Sequence, residues 1–252
     1  CFLMLFYNLF FHYILLFLFL FDFFGNIGKS FYKTVIYDNR YEYIFEGLFH
    51  TIIIALFAVI IGIVIGILVS LIRNNYEING KNKLLYKIAN LYVNIIRGTP
   101  VILQLMIIYY VIFKSVNINI VIVGIIAFGI NSGAYVSEII RAGINSIPKG
   151  QMEAGFSLGL RYRTVMREII LPQAIRNILP ALGNEFITLL KETSVGAYIG
   201  IIELTKASDI IASRTYDYFF PLIIIAIIYL IMTLGLSKLV NVMERRLNRV
   251  RS

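Results

Sequence analysis

The sequence predicts an all-α, polytopic membrane protein, and three observations predict it. The 252 residues are 59% hydrophobic and only 15% charged, with a mean hydropathy of +0.82, whereas soluble domains carry about 25% charged residues. Several uninterrupted apolar stretches reach the roughly 18 to 20 residues that cross a hydrocarbon core as a helix. The basic residues behind the net charge of +9 cluster in short connections between those stretches, as they do in cytoplasmic loops. That clustering points to membrane lipid as the surroundings and away from nucleic acid as a partner.

Taken in order, residues 1–28 form a hydrophobic N-terminal segment without Lys or Arg. It has neither the basic start nor the small-residue cleavage site of a secretory signal. It reads either as one extra membrane helix or as an artefact of appended upstream sequence. Residues 29–46, "KSFYKTVIYDNRYEYIFE", are mixed and aromatic and suit an external interfacial segment. The transmembrane domain proper is expected over 47–243, with a first span at about 47–72 whose Gly62 and Gly66 have the GxxxG spacing of a close helix contact. A second span, about 84–113, is interrupted at "RGTP", where Pro100 removes a backbone donor. A third runs from about 118 to 141. A polar block at 142–173 separates it from a fourth apolar segment, about 175–202, expected to be broken by Pro180, Gly183, Gly196 and Gly200. The last span, about 218–240, leads to a basic tail at 244–252.

Charge sets the orientation. Arg73, Lys81, Lys83 and Lys87, the basic set of the central block, and Arg245, Arg246, Arg249 and Arg251 all fall on the cytoplasmic side if five spans run from 47 to 240. Several chemistries are excluded or weakened. Cys1 is the only cysteine, so no intrachain disulfide exists, and His12 and His50 have no cluster of further ligands beside them, so no metal site is expected. "GNIGKS" at 25–30 resembles a phosphate-binding loop, but the position that requires Gly is Phe23.

The central block carries the most information. Glu153, Ala154 and Gly155 open it, Gly159 follows six residues after Glu153, and Ile169, Leu171 and Pro172 close it. Small residues give one helix face on which another protein can seat, Gly159 permits a sharp turn, and Pro172 is expected to end the second short helix. Composition alone allows the plainer reading of an amphipathic surface helix.

The arrangement resembles the EAA motif of importer-type ABC transporter permeases, with Gly155 in place of the second Ala. The resemblance extends through "RGTPVILQLMIIYYVIF", "NSGAYVSEIIRAGINSIPKGQ", "LPQAIRNILPALGNEFITLLKETS" and "SRTYD". It covers about residues 36 to 250 and is similar to the polar amino acid branch, which serves histidine, glutamine, arginine and cystine. It implies a five-helix, type I importer-like core in a bacterial cytoplasmic (inner) membrane, paired as a homodimer or with a paralogous permease. It also implies separate ABC ATPase subunits, which bind the ATP and Mg, and an extracytoplasmic substrate-binding protein. This chain itself would hold no cofactor and catalyse no reaction. Glu153, Ala154, Gly155, Gly159, Ile169, Leu171 and Pro172 would form the ATPase-coupling loop.

Polar groups inside the spans are costly and mark candidates for the substrate path. They are Thr99 and Gln104 around the Pro100 break, Asn131, Tyr135 and Glu138 on one face of the third span, and Glu185, Thr188, Glu192 and Thr193 in the fourth. The alternative for each is an interhelix hydrogen bond or a buried ion pair. Two rival functions remain on sequence grounds. A self-contained secondary transporter or channel would be supported by inverted repeats, and a membrane enzyme by a convergent catalytic set. Neither feature is visible.

Overall fold

A computed structural model of the chain describes residues 27–249. The apolar segment up to residue 26, with Cys1 and His12, and the end of the tail with Arg251 lie outside the described residues. Within them, short helical turns over 27–39 precede α1 (Tyr41–Asn79), α2 (Lys83–Gly98), α3 (Val101–Ile107), α4 (Ile120–Asn145), α5 (Lys149–Ser157), α6 (Tyr162–Val165), α7 (Leu171–Glu192), α8 (Leu204–Thr215) and α9 (Phe219–Arg249). No strand occurs among the described residues.

Three of these helices, α1, α4 and α9, are long and apolar enough to cross a membrane by themselves. The pair α2 and α3, the latter prolonged by a π-turn to Ile112, forms a fourth candidate bent by 111° at Thr99–Pro100. Pro100 is extended (φ −62°, ψ 136°), so the chain leaves the helix there and restarts it. α7 carries Arg176, Glu185, Lys191 and Glu192 and is therefore the most polar of the five core segments. α1 outruns its apolar stretch at both ends and stops where Gly80 turns left-handed (φ +63°) and donates its N–H to the Tyr76 carbonyl, 2.8 Å away.

α1 and α4 lie side by side and parallel, closer than ordinary side chains allow. A Cβ on Gly62 would stand 2.7 Å from Ser132 Oγ, and one on Gly66 2.5 Å from Val136 Cγ1. The contact is reciprocal: Gly129 and Gly133 of α4 receive Ile61 and Ile65 of α1, at 2.7 and 2.6 Å from the position of an added Cβ. Lipid supplies no hydrophobic drive between helices, so this contact depends on dispersion between closely fitted surfaces. α7 runs antiparallel to α4, with Asn177 near Ser146 at one end and Glu185 near Ser132 midway. α9 packs on α7 where Val240 enters the space above Gly183. The alternation of directions agrees with five core segments and basic connections on one side.

The fourth segment departs from expectation in one respect. Pro180 and Gly183 sit inside α7 without breaking it. The interruption comes later, in a 3-10 turn over Thr193–Ile199 that ends at Gly200 (φ +94°). Glu203 then caps α8, its carboxylate accepting from the backbone N–H groups of Thr205 and Lys206 at 2.8 and 2.7 Å and from Tyr229 Oη at 3.2 Å. This side chain is fully buried, and burial raises its pKa to about 7 against the donated hydrogen bonds.

Replacing Gly66 with Leu should force α1 and α4 apart. The expected cost is about 1 to 3 kcal/mol or more of overpacking. It should appear as a lower unfolding midpoint in detergent, whereas Gly235→Leu, with nothing within 4 Å of an added Cβ, should leave the midpoint unchanged.

Candidate functional site

Two regions carry the residues singled out in the sequence, and the first is the polar block between α4 and α7. Asn145 ends α4, Ser146 Oγ donates to Gly143 O at 2.7 Å, and Asn177 of α7 donates to Ser146 Oγ at 2.8 Å. The two ends of the block are thus tied together. After Pro148 the chain enters α5, which presents Glu153 and Ala154 to solvent.

Gly155 faces the other way. It is buried, and a Cβ there would lie 2.7 Å from Val165 Cγ2 of α6, so the glycine in the motif's third position is matched by a branched neighbour. Gly159 has φ +76° and open space around it, and it makes the turn between α5 and α6. Phe156 and Leu158, 46% and 78% exposed, are apolar knobs on this otherwise aqueous surface. Their exposure depends on the turn geometry, which the sequence pattern does not state. An open hollow of about 690 Å³ lies against the start of α5, between Ile144, Pro148, Met152 and Ile170.

Pro172 does not end a helix. α6 continues through a π-turn (Met166–Ile170) directly into α7, with Pro172 in the first turn of the latter. The widened turn accommodates the ring, which would otherwise press on the carbonyl four residues back. Ile169 and Leu171 are half-buried along this continuous helix, while Pro172 is exposed.

The second region is the set of polar side chains within the spans. Around the break, Thr99 Oγ1 donates to Ile95 O at 2.8 Å. Gln104 Nε2 donates to Ile96 O, Thr99 O and Thr99 Oγ1 at 2.8, 3.0 and 2.8 Å. These groups replace the donors that the last turn of α2 loses when the helix stops. Asn131 Nδ2 in turn donates to Gln104 Oε1 at 2.9 Å, and both side chains are buried. Glu138 is held by three arginines from three helices. Arg73 of α1 bonds Oε1, Arg141 of α4 gives Nη2 and Nε to Oε2 at 2.7 and 3.2 Å, and Arg97 of α2 lies 3.7 Å away. Arg97 also stands 5.6 Å from the centre of the Tyr135 ring. Thr99, Gln104 and Asn131 thus form an interhelix network, and Glu138 a multiple ion pair, as the alternative reading of such residues anticipates.

α7 behaves differently. Glu185 accepts from Ser132 Oγ at 2.8 Å. Thr188 is exposed, Glu192 is half-buried without a hydrogen bond or ion pair among the described residues, and Thr193 is buried with its hydroxyl on Leu190 O at 2.8 Å. The exposed stripe includes two residues that sequence reasoning passed over, Asn177 and Asn184. With Thr188 and Lys191 they follow spacings of seven, four and three residues and share one face. The helical period alone would have found them.

Comparison with known proteins places this architecture. Residues 62–249 match the family described as binding-protein-dependent transport system inner membrane component. The putative glutamine transport system permease protein GlnP of Rickettsia prowazekii (strain Madrid E) is 43% identical over 169 residues, 66% of this chain and 78% of that one. The arginine transport system permease protein ArtQ of Bacillus subtilis (strain 168) is 43% identical over 162 residues, 64% of this chain and 74% of that one. Among solved structures, a crystal structure of an amino acid ABC transporter with histidines superposes with a TM-score of 0.76 at 45% identity, covering 81% of this chain and 94% of that one. An inward-facing MetNI methionine ABC transporter shares the fold at 19% identity, with a TM-score of 0.65 over 82% of this chain and 98% of that one. The chain belongs to the binding-protein-dependent transport system inner membrane components, in the branch of amino acid ABC permeases.

Proposed function

We propose that the chain is the translocating subunit of an ATP-driven importer of polar amino acids in a bacterial cytoplasmic membrane. It is driven by a separate ATPase through the 142–173 loop. The observation that carries the coupling is the form of that loop. It is a short helix with Glu153 and Ala154 exposed, followed by a turn that leaves the apolar side chains of Phe156, Leu158 and Leu160 exposed, and it is tied by Asn177 to a helix that runs into the membrane. A patch of this kind on an aqueous surface suits a protein partner. ATP and Mg belong to that partner. An extracytoplasmic binding protein delivers the substrate, and a second permease, identical or paralogous, completes the path.

The path itself is lined by α7. Asn184, Thr188 and Lys191 are exposed and Glu185 and Glu192 are half-exposed on a helix of the transmembrane core. Polar groups in that position need water or another subunit, since lipid offers them no hydrogen bonds. A switch from 1:99 to 99:1 between two access states needs about 5.5 kcal/mol of differential binding, which nucleotide-driven closure of a docked ATPase can supply through the loop.

The reading is tested in liposomes. Labelled amino acid should enter only when ATPase, binding protein and ATP are all present. Uptake by this chain alone, driven by an ion gradient, would instead make it a secondary transporter. Gly159→Trp should still insert, because nothing stands within 4 Å of the site. It should nevertheless lose at least about tenfold in ATPase co-purification, since a side chain in the left-handed region costs about 1 to 2 kcal/mol and blocks the seat; undiminished co-purification would remove the loop from the docking surface. Glu192→Ala should shift the KM or the order of preference among competing amino acids while the basal ATPase rate of the assembled complex stays the same. Unchanged uptake kinetics would take Glu192 out of the path.

A further inference from the structure

Along the cytoplasmic half of α1 a trough of about 410 Å³ opens sideways between α1, α4 and α7. Its lining is apolar, with Ile63, Ile67 and Leu71 from α1, Ile140 from α4, and Ile175 and Leu179 from α7. Ile67, Leu71 and Ile175 are 44%, 59% and 46% exposed, so the trough is open to whatever surrounds the helices. At its aqueous end it reaches Ser70, Asn74 and Ile144. The same three residues line a second, polar niche of about 30 Å³, together with Arg73, Glu77 and Arg141. The two cavities therefore adjoin, the apolar one and the ionic one meeting at these three residues.

The ionic end has capacity to spare. Arg73 Nε is buried and has no hydrogen-bond partner, although its Nη1 is on Glu138. Glu77 is exposed and makes no hydrogen bond or ion pair among the described residues, although Arg141 and Tyr162 lie near enough to feel its charge. The order along α1 is the informative part. Ile63, Ile67, Ser70, Asn74 and Glu77 recur at steps of three and four and so share one face, with Arg73 beside them. Moving outward from the membrane interior, that face presents hydrocarbon, then a hydroxyl, then a guanidinium and finally a carboxylate. From Ile63 to Ser70 and from Ser70 to Glu77 are about 10 Å each at 1.5 Å per residue. A phospholipid bearing an amine presents the complementary groups in the same order: acyl chain, ester, phosphate, ammonium.

We propose that this site binds one phosphatidylethanolamine of the cytoplasmic leaflet per protomer, with an acyl chain in the trough, the phosphate over Arg73 and Arg141, and the ammonium at Glu77. The niche has room for about one water, so the headgroup lies across its mouth. Glu77 makes the site selective, because a carboxylate at the rim attracts an ammonium and repels a headgroup that is only anionic. The inference requires the chain to sit in a membrane and is independent of which solute it moves.

The test is lipid retention by the assembled permease–ATPase complex, delipidated in detergent, titrated with dioleoyl phosphatidylethanolamine or dioleoyl phosphatidylglycerol, and read by native mass spectrometry. Wild type should retain one phosphatidylethanolamine per protomer and prefer it by about fivefold, the factor expected from one surface charge. Glu77→Gln should bring that preference close to one while leaving retention in place. Ile67→Trp should fill the trough and lower retention of both lipids by about fivefold or more; Leu71→Trp, at the open rim, serves the same purpose if the first variant does not assemble. Equal retention of both lipids by wild type, an unchanged preference in Glu77→Gln, or undiminished retention with the trough filled would each overturn the proposal. So would a photoreactive side chain at position 71 that crosslinks in membranes to a second copy of the chain rather than to lipid.

Discussion

Everything in the core is hung on the distance between α1 and α4. Because Gly62, Gly66, Gly129 and Gly133 remove side chains on both sides of one seam, Ser132 is fully buried against α1. From there its hydroxyl reaches Glu185 of α7. The same seam places Gly133 beside Tyr92, whose hydroxyl donates to Ile130 O at 2.5 Å and draws α2 onto the pair. A bulkier residue in the seam would therefore disturb more than two helices, since it would also shift the one acidic side chain of α7 that has a fixed hydrogen-bond partner. In a solvent that gives helices no hydrophobic reason to associate, shape complementarity and a few well-placed hydrogen bonds have to supply the organisation.

The polar residues of the interior divide into two populations by how completely they are satisfied. Gln104, Thr99 and Asn131 use one another and the interrupted backbone of α2, so the 111° bend at Thr99–Pro100 is held by side-chain hydrogen bonds. Glu138 draws three arginines from three helices to one carboxylate. A charge there without partners would be costly, and removing one member would leave the rest uncompensated. The α7 stripe beyond Asn177 is the opposite case, since Asn184, Thr188 and Lys191 make no hydrogen bond or ion pair among the described residues. Closed networks fix geometry, whereas open ones are available to a mobile solute; the proposed path follows that distinction.

Much of the architecture was legible from the chain. The GxxxG spacing predicted the α1 contact, "RGTP" predicted a break, and the charged connections gave alternating directions that the packing repeats. What was not legible shares a physical cause. Whether Gly155 points toward a partner or toward Val165, and whether Asn131 faces a cavity or Gln104, depends on a neighbour distant in sequence. Periodicity defines a face without naming what lies opposite. Pro172 and Pro180 were expected to stop or break helices because proline removes a donor and crowds the preceding turn. The π-turn ahead of Pro172 and the packed surroundings of Pro180 absorb that effect, which is tertiary context overriding local propensity.

That continuity has a mechanical meaning. With no joint at Pro172, the stretch from Tyr162 to Glu192 is a crankshaft, one end in the aqueous loop and the other carrying the polar stripe. A shaft of that kind transmits torsion as faithfully as thrust. Turning it by about 20° would swing side chains at a radius of about 5 Å through roughly 2 Å, enough to re-aim the polar stripe without moving the helix axis at all.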